Sequence, residues 1–196
     1  LNRFILDEDP QIAAEYHCDK HVVKMILEEA QMLSTAHRIL DGVETVGQSK
    51  SGRKAKRWKL DDGREDILYQ ATHVNHPCTQ WSMFTSENYV WSVSLLRCLL
   101  DEYQYRYGKQ HKCETLYNTL RFLPQMILNG KRSQFPQAMP DDCKRDNPVD
   151  GYRKYYIDHK VRFAKWTGRP VPEWFTCSSN SQTHPVIMPA KLSGSM

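Results

Sequence analysis

The sequence predicts a mainly α fold, a single-domain helical bundle with a small β-hairpin excursion. Three observations lead there. Apolar residues recur at helical spacing over 10–40, and a second apolar run fills 77–107 and stops at Gly108. Two cap–proline pairs, Asp9-Pro10 and Asn147-Pro148, mark helix starts, because proline at the first helical position gives up no hydrogen bond. The chain of 196 residues is long enough to bury one core, and no internal repeat divides it. We expect the domain over 1–175 and a loosely ordered tail over 176–196, where small polar residues show no periodicity.

The first helix is expected from Pro10 to about Leu40. At about 100° per residue, Val22, Val23, Ile26, Ala30, Leu33, Ala36 and Leu40 fall on one side, and Asp41-Gly42 ends the run. Residues 42–56, rich in Gly, Ser, Lys and Arg, read as a mobile loop. Arg57–Tyr69 reads as the hairpin, with Asp62-Gly63 supplying the positive φ angles of a tight turn. A second long helix runs from His76 or Pro77 to Tyr107, with an interruption near Thr85-Ser86. Cys113–Phe122 is a third helix, 123–148 is proline-bearing and irregular, and a last helix spans Asn147-Pro148 to about Trp166, stopped by Gly168.

Composition narrows the function classes. With 40% hydrophobic and 26% charged residues, the chain is of ordinary globular type. No apolar run reaches the roughly 18 residues needed to span a bilayer, and Leu1–Asp9, with three acids, does not read as a signal peptide. The expected compartment is therefore the cytoplasm (the host's, if the chain is phage-encoded). Six scattered cysteines without a CxxC pair read as free thiols. Phosphate-binding GxxxxGK[ST], GxGxxG and GxSxG patterns are absent, which argues against a nucleotide-driven motor, a dinucleotide oxidoreductase and an esterase. No cofactor is expected.

Charge distribution points to a polyanion. Net charge is only +4, but Lys50, Arg53, Lys54, Lys56, Arg57 and Lys59 crowd together, and such a cluster attracts phosphate through counterion release. On the first helix, His17, Lys20, His21, Lys24, Glu28, Gln31, Thr35 and Arg38 form a stripe opposite the apolar one. Two imidazoles between two ammonium groups suit a phosphate or pyrophosphate. His17 and His21 at i,i+4 beside Cys18 raise a metal as an alternative, but no further ligands are spaced to complete a site and the lysines would repel a cation, so no metal is expected. Asp19 falls on the apolar side of an unbroken helix, where a carboxylate needs partners or shifts its pKa.

Asn75-His76-Pro77 sets polar groups at a helix start, and Trp81, Asn88, Tyr89 and Trp91 follow. Aromatic rings there suit base stacking or, equally, core packing. Arg106 and Lys109 in Tyr105–Lys109, and Arg153 and Tyr156 in Tyr152–Tyr156, join cations to aromatics in two more segments. The expected ligand-binding set is His17, Lys20, Lys24, Gln31, Asn75, His76, Trp81, Asn88, Arg106, Lys109, Arg153 and Tyr156, for DNA or a nucleotide.

Three blocks carry a family resemblance: Asn2-Arg3-Phe4-Ile5 with Asp7 and Asp9-Pro10; Asp19–Lys24 through Glu28, Gln31, Leu33 and Ser34; and Asn75-His76-Pro77 with Trp81. With Glu102-Tyr103 and Arg106-Tyr107-Gly108, they resemble uncharacterised phage and bacterial proteins grouped with the pyrimidine-dimer DNA glycosylases of the phage endonuclease V type. The resemblance covers roughly residues 1–110. It implies a mostly helical repair enzyme in which an N-terminal α-amine attacks C1′, an acidic residue early in the first helix assists, and a Schiff base permits β-elimination. The implied acid is Asp19, near Glu15-Tyr16, with Glu28 second. The family nucleophile is a small terminal residue, and the corresponding positions here are Leu1 and Asn2. Asp19, Glu28 and His21 are thus the candidate catalytic groups of a DNA glycosylase/AP-lyase-like enzyme acting on damaged or modified pyrimidines. The alternatives are a phosphate- or pyrophosphate-acting transferase on DNA bases or nucleotides, and a non-catalytic nucleotide-binding sponge.

Overall fold

A computed structural model describes residues 1–49 and 51–179. The fold is mainly α, with a two-stranded antiparallel hairpin. An extended segment comes first, and its Phe4, Ile5 and Leu6 are buried in the core. Helix α1 (Pro10–Tyr16) starts as expected, the Asp9 carboxylate accepting from Gln11 N and Ile12 N.

The expected single helix over 10–40 is two helices. His17 (ψ 132°) and Cys18 (ψ 159°) are extended, and α2 (Asp19–Asp41) begins after them. The break has a tertiary cause, because Asp19 N donates to Lys165 O at 2.8 Å rather than one turn back along the helix. Val23, at the edge of the apolar stripe, is 41% exposed, while Val22, Ile26, Ala30, Leu33 and Ala36 stay inside. At the other end Gly42 is needed for close approach: a Cβ there would lie 2.5 Å from Arg38 O.

The hairpin lies earlier than the sequence predicts. Strands β1 (Val43–Gln48) and β2 (Lys54–Lys59) occupy the expected loop, paired from Val43↔Lys59 to Gln48↔Lys54. Gly52, at φ 76°, supplies the left-handed turn residue. Asp62-Gly63 instead opens α3 (Arg64–Ile67): Gly63 has φ −60°, and Asp62 Oδ1 accepts from Arg64 N. Fully buried Arg38 ties these pieces to α2, donating to the carbonyls of Trp58, Glu65, Leu68 and Tyr69 and to the Glu65 carboxylate.

The second long run is interrupted where expected, giving α4 (Pro77–Ser82) and α5 (Ser86–Tyr107). Thr85 caps α5 and Gly108, at φ 62°, stops it. Helix α6 (Glu114–Leu120) follows, then the irregular 123–140 stretch and a 3-10 turn at Asp141–Cys143. Helix α7 (Pro148–Lys160), capped by Asn147, ends six residues before the expected Trp166. Beyond it the chain is held by α1 and α2 instead, Trp166 Nε1 donating to Tyr16 O. Helix α8 (Glu173–Ser179) was not expected; of the tail over 176–196, residues 176–179 belong to it and the rest lie outside the described residues.

Helices α2 and α5 form the centre of the bundle, with α1, α4 and α6 packed around them. Five cysteines are described, all free thiols, and four of them are buried. No helix among the described residues is long and apolar enough to cross a membrane.

Candidate functional site

The predicted stripe on α2 divides by burial. Lys20 and Lys24 are exposed, Gln31 is half-buried, and His17, His21 and Glu28 are buried. Lys20, Lys24 and Glu28 follow one another one turn apart, so a line of two ammonium groups leads to a carboxylate.

Glu28 sits against the first residues of the chain. The peptide N–H of Asn2 donates to its Oε2 at 2.7 Å, and Lys24 Nζ lies 3.3 Å from Oε1, with the lysine side chain 64% exposed and the glutamate 9%. Asn2 is held in turn by its Nδ2 donating to Ala138 O and by the Cys78 thiol. His76 caps α4 through its ring Nδ1, which accepts from Cys78 N. Burial holds the His76 pKa down, and the positive charges of the terminus and neighbouring residues add to this, while the nearby Glu28 charge opposes it. Asn75, just before it, is exposed.

Below this corner the floor is rigid. Arg3 and Glu29, both fully buried, make a two-pronged pair, and Arg3 Nη2 also donates to Ser82 Oγ. The guanidinium lies 5.3 Å from the Trp81 ring and 5.8 Å from that of Trp91. Burial raises the Glu29 pKa, with Arg3 pulling the other way. Trp81 and Asn88, predicted as ligand-binding groups, face inward: Trp81 Nε1 donates to Gln134 O, and Asn88 bonds Trp81 O, Ser133 N and Ser133 Oγ. They brace the 130s loop.

The two imidazoles of the stripe are not cations. His21 stacks on Phe4 (centroids 4.3 Å apart) and shares a hydrogen bond between Nδ1 and the Tyr156 hydroxyl. Burial depresses its pKa to about 3, with His17, Lys160 and Lys24 adding to the effect. His17 is fully buried, its Nδ1–H donating to Ala13 O, and burial lowers its pKa to about 4. Both are therefore neutral at pH 7, which corrects the expectation of alternating imidazolium and ammonium charge. Lys160, at the C-terminal end of α7, stands on the rim instead, its Nζ 4.3 Å from the Tyr155 ring. Arg153 points elsewhere, donating to Leu6 O and Asp7.

Asp19, the first-choice acid, is in a second corner. Its carboxylate accepts from Arg106 Nη1 at 2.9 Å, from Thr167 N at 2.9 Å and from Thr167 Oγ1 at 2.8 Å. Burial alone would raise its pKa, but the Thr167 and Arg106 bonds outweigh it and hold the carboxyl below its usual range. Arg106 also bonds Glu102 and Glu15 O, and Arg169 closes the network on Glu102. Beside this corner an open groove of about 370 Å³ is lined by Asp19, Lys20, Val23, Tyr103, Tyr107 and Lys109. Lys20 and Lys109 thus line one groove, with Tyr103 and Tyr107 of α5.

The hairpin stands out from this body. Val43 and Val46 are 69% and 76% exposed, and Arg53, Lys54, Lys56 and Lys59 are exposed as well, with Lys56 paired to Glu44. Lys50 lies outside the described residues. Cations therefore occur on three separate surfaces: the hairpin, the α2–α5 groove, and the rim around His21 and Glu28. Comparison with known proteins finds no family model, no curated protein and no solved structure that matches the chain.

Proposed function

We propose that the chain excises damaged or modified pyrimidine bases from DNA, with Glu28 as the acid–base group. The observation that carries this reading is the setting of Glu28. It is a carboxylate at the rim of the core, 2.7 Å from the backbone nitrogen of Asn2 and next to an exposed lysine. The endonuclease V-type resemblance implies this same neighbourhood of an acidic residue and the first residues of the chain. Asp19 is the weaker candidate, since three donors already occupy its carboxylate.

In this reading Lys20, Lys24 and Lys160 hold the phosphates flanking the target nucleotide, and the hairpin adds sequence-independent attraction. Glu28 takes a proton from the water that attacks C1′ as the bond from C1′ to the base breaks and the base leaves with its electron pair. The nitrogen beside Glu28 is a peptide N–H in this sequence and is not a nucleophile. Lys24 is the amine within reach if a Schiff base forms.

The test uses irradiated and undamaged duplex DNA, with and without borohydride. Base release from irradiated DNA alone, reduced at least about 100-fold in Glu28→Gln, is expected. An adduct trapped by borohydride and lost in Lys24→Ala would add the lyase step. Absence of both release and cleavage on damaged DNA, with thermal stabilisation by a small nucleotide instead, would replace this reading with the nucleotide-binding one.

A further inference from the structure

Opposite chemistry gathers at the far end of α7. One donor atom each from Asp142, Cys143, Asp158 and His159 lies within 4.8 Å of all the others. The first two come from the 3-10 turn and the last two from the final turn of α7. We propose that these four side chains form a closed binding site for a zinc-type divalent cation, one that staples the 137–146 loop to α7.

The donor set is specific. One thiolate, one imidazole and two carboxylates suit a borderline metal in tetrahedral geometry, and not magnesium or calcium, which take oxygen alone. Tetrahedral donors at bond lengths of about 2.0–2.3 Å lie roughly 3.3–3.8 Å apart. Closing the cluster from 4.8 Å therefore asks about 1 Å of the side chains, three of which belong to exposed residues.

The two halves are already held in register by bonds that use none of the donors. Gln137 bonds both Arg145 N and Arg145 O, which closes the loop on itself. The Tyr152 hydroxyl accepts from Ala138 N and donates to Pro136 O, which fixes the loop to α7. Gly151 permits this approach, since a Cβ there would sit 2.7 Å from Gln137 Oε1 and 3.3 Å from Cys143 O. Cys143 is fully buried, with its sulfur 3.9 Å from Asp158 Oδ2, and His159 packs on Tyr155 at 5.1 Å.

Charge also balances. Metal binding breaks the Cys143 S–H bond, forms the sulfur–metal bond and releases the proton to solvent. Three negative donors around a divalent ion leave one net negative charge, and Lys154, bonded to Asp158 Oδ2, neutralises it. The loop that would be stapled includes Ala138, whose carbonyl receives the Asn2 side chain beside Glu28. The proposal is independent of base excision, because none of its four donors has a role there.

The test is titration of the full, reduced chain with cobalt(II) as the probe, read by its ligand-field and thiolate charge-transfer absorption. We expect one equivalent bound, a single-thiolate band, displacement by zinc, and a zinc-dependent rise in melting temperature. Cys143→Ser should abolish the band, while Cys98→Ser keeps it. His159→Ala, at an exposed position, should weaken binding at least about tenfold. No band at stoichiometric cobalt, a band that survives Cys143→Ser, or unchanged affinity in His159→Ala would overturn the site.

Discussion

Helix α2 carries two carboxylates on or near its exposed side, Asp19 in its first turn and Glu28 further along, and they live differently. Asp19 accepts three hydrogen bonds, from an arginine of α5 and from the chain after α7. Glu28 has one peptide N–H and one mobile lysine. A carboxylate held by three donors in a network of arginines has little capacity left for a substrate, and its removal leaves the buried Arg106 charge behind. A carboxylate with open capacity at the edge of the core is costly to maintain unless something else uses it. The lesson is that burial and charge do not separate structural from chemical acids, whereas the count of donors does.

Acid should blur the comparison most, since three buried imidazoles on and beside α2 are neutral. His17, His21 and His37 are held by burial at about 4, 3 and 4, against 6.5 when exposed. Below 6.5 the unfolded chain takes up protons that the folded chain refuses, so stability is full above that pH and falls between 6.5 and about 4. The slope is up to about 1.4 kcal/mol per pH unit for each imidazole. Urea midpoints at pH 7 and pH 5 measure it; equal midpoints would refute it.

Next in size is Arg106→Met, which removes the buried arginine that Asp19 and Glu102 share. We expect a loss of about 3 kcal/mol or more in denaturant unfolding. Glu28→Gln inverts the pattern, because an amide oxygen can still accept from Asn2 N–H. Stability should change by less than about 1 kcal/mol while base release drops at least about 100-fold. If Asp19→Asn costs activity without stability, the two corners have been assigned the wrong way round. The smallest effects belong to the lysines. Lys20→Ala and Lys24→Ala should each shift stability by no more than about 1 kcal/mol and reduce the salt dependence of DNA binding by about one ion.

Much of the scaffold was legible because its signals are local. Asp9-Pro10, Thr85, Gly108 and Asn147-Pro148 do in the fold what their chemistry predicts. The hairpin was displaced because neither of its faces is buried, so its strands show no apolar alternation, and Asp62-Gly63 offers turn chemistry that in fact starts a helix. The break at His17-Cys18 was invisible because a carbonyl from residue 165 causes it. The site was half legible. Lys24, Glu28 and His76 share a corner, but whether a histidine on the stripe is a cation depended on Phe4 and Tyr156, far apart in the chain. The same long-range packing turned Trp81 and Asn88 inward.

The opening segment has a consequence for how the molecule comes to be. Residues 2–8 are threaded between elements made much later: Asn2 bonds Ala138, Leu6 receives Arg153, Glu8 receives Trp91, and Phe4 packs on Tyr152 and Tyr156. Such separations impose large loop-closure entropy before any contact rewards it. During synthesis these apolar residues must wait, uncovered, until about residue 156 has left the ribosome, and the corner around Glu28 is therefore among the last parts of the protein to exist.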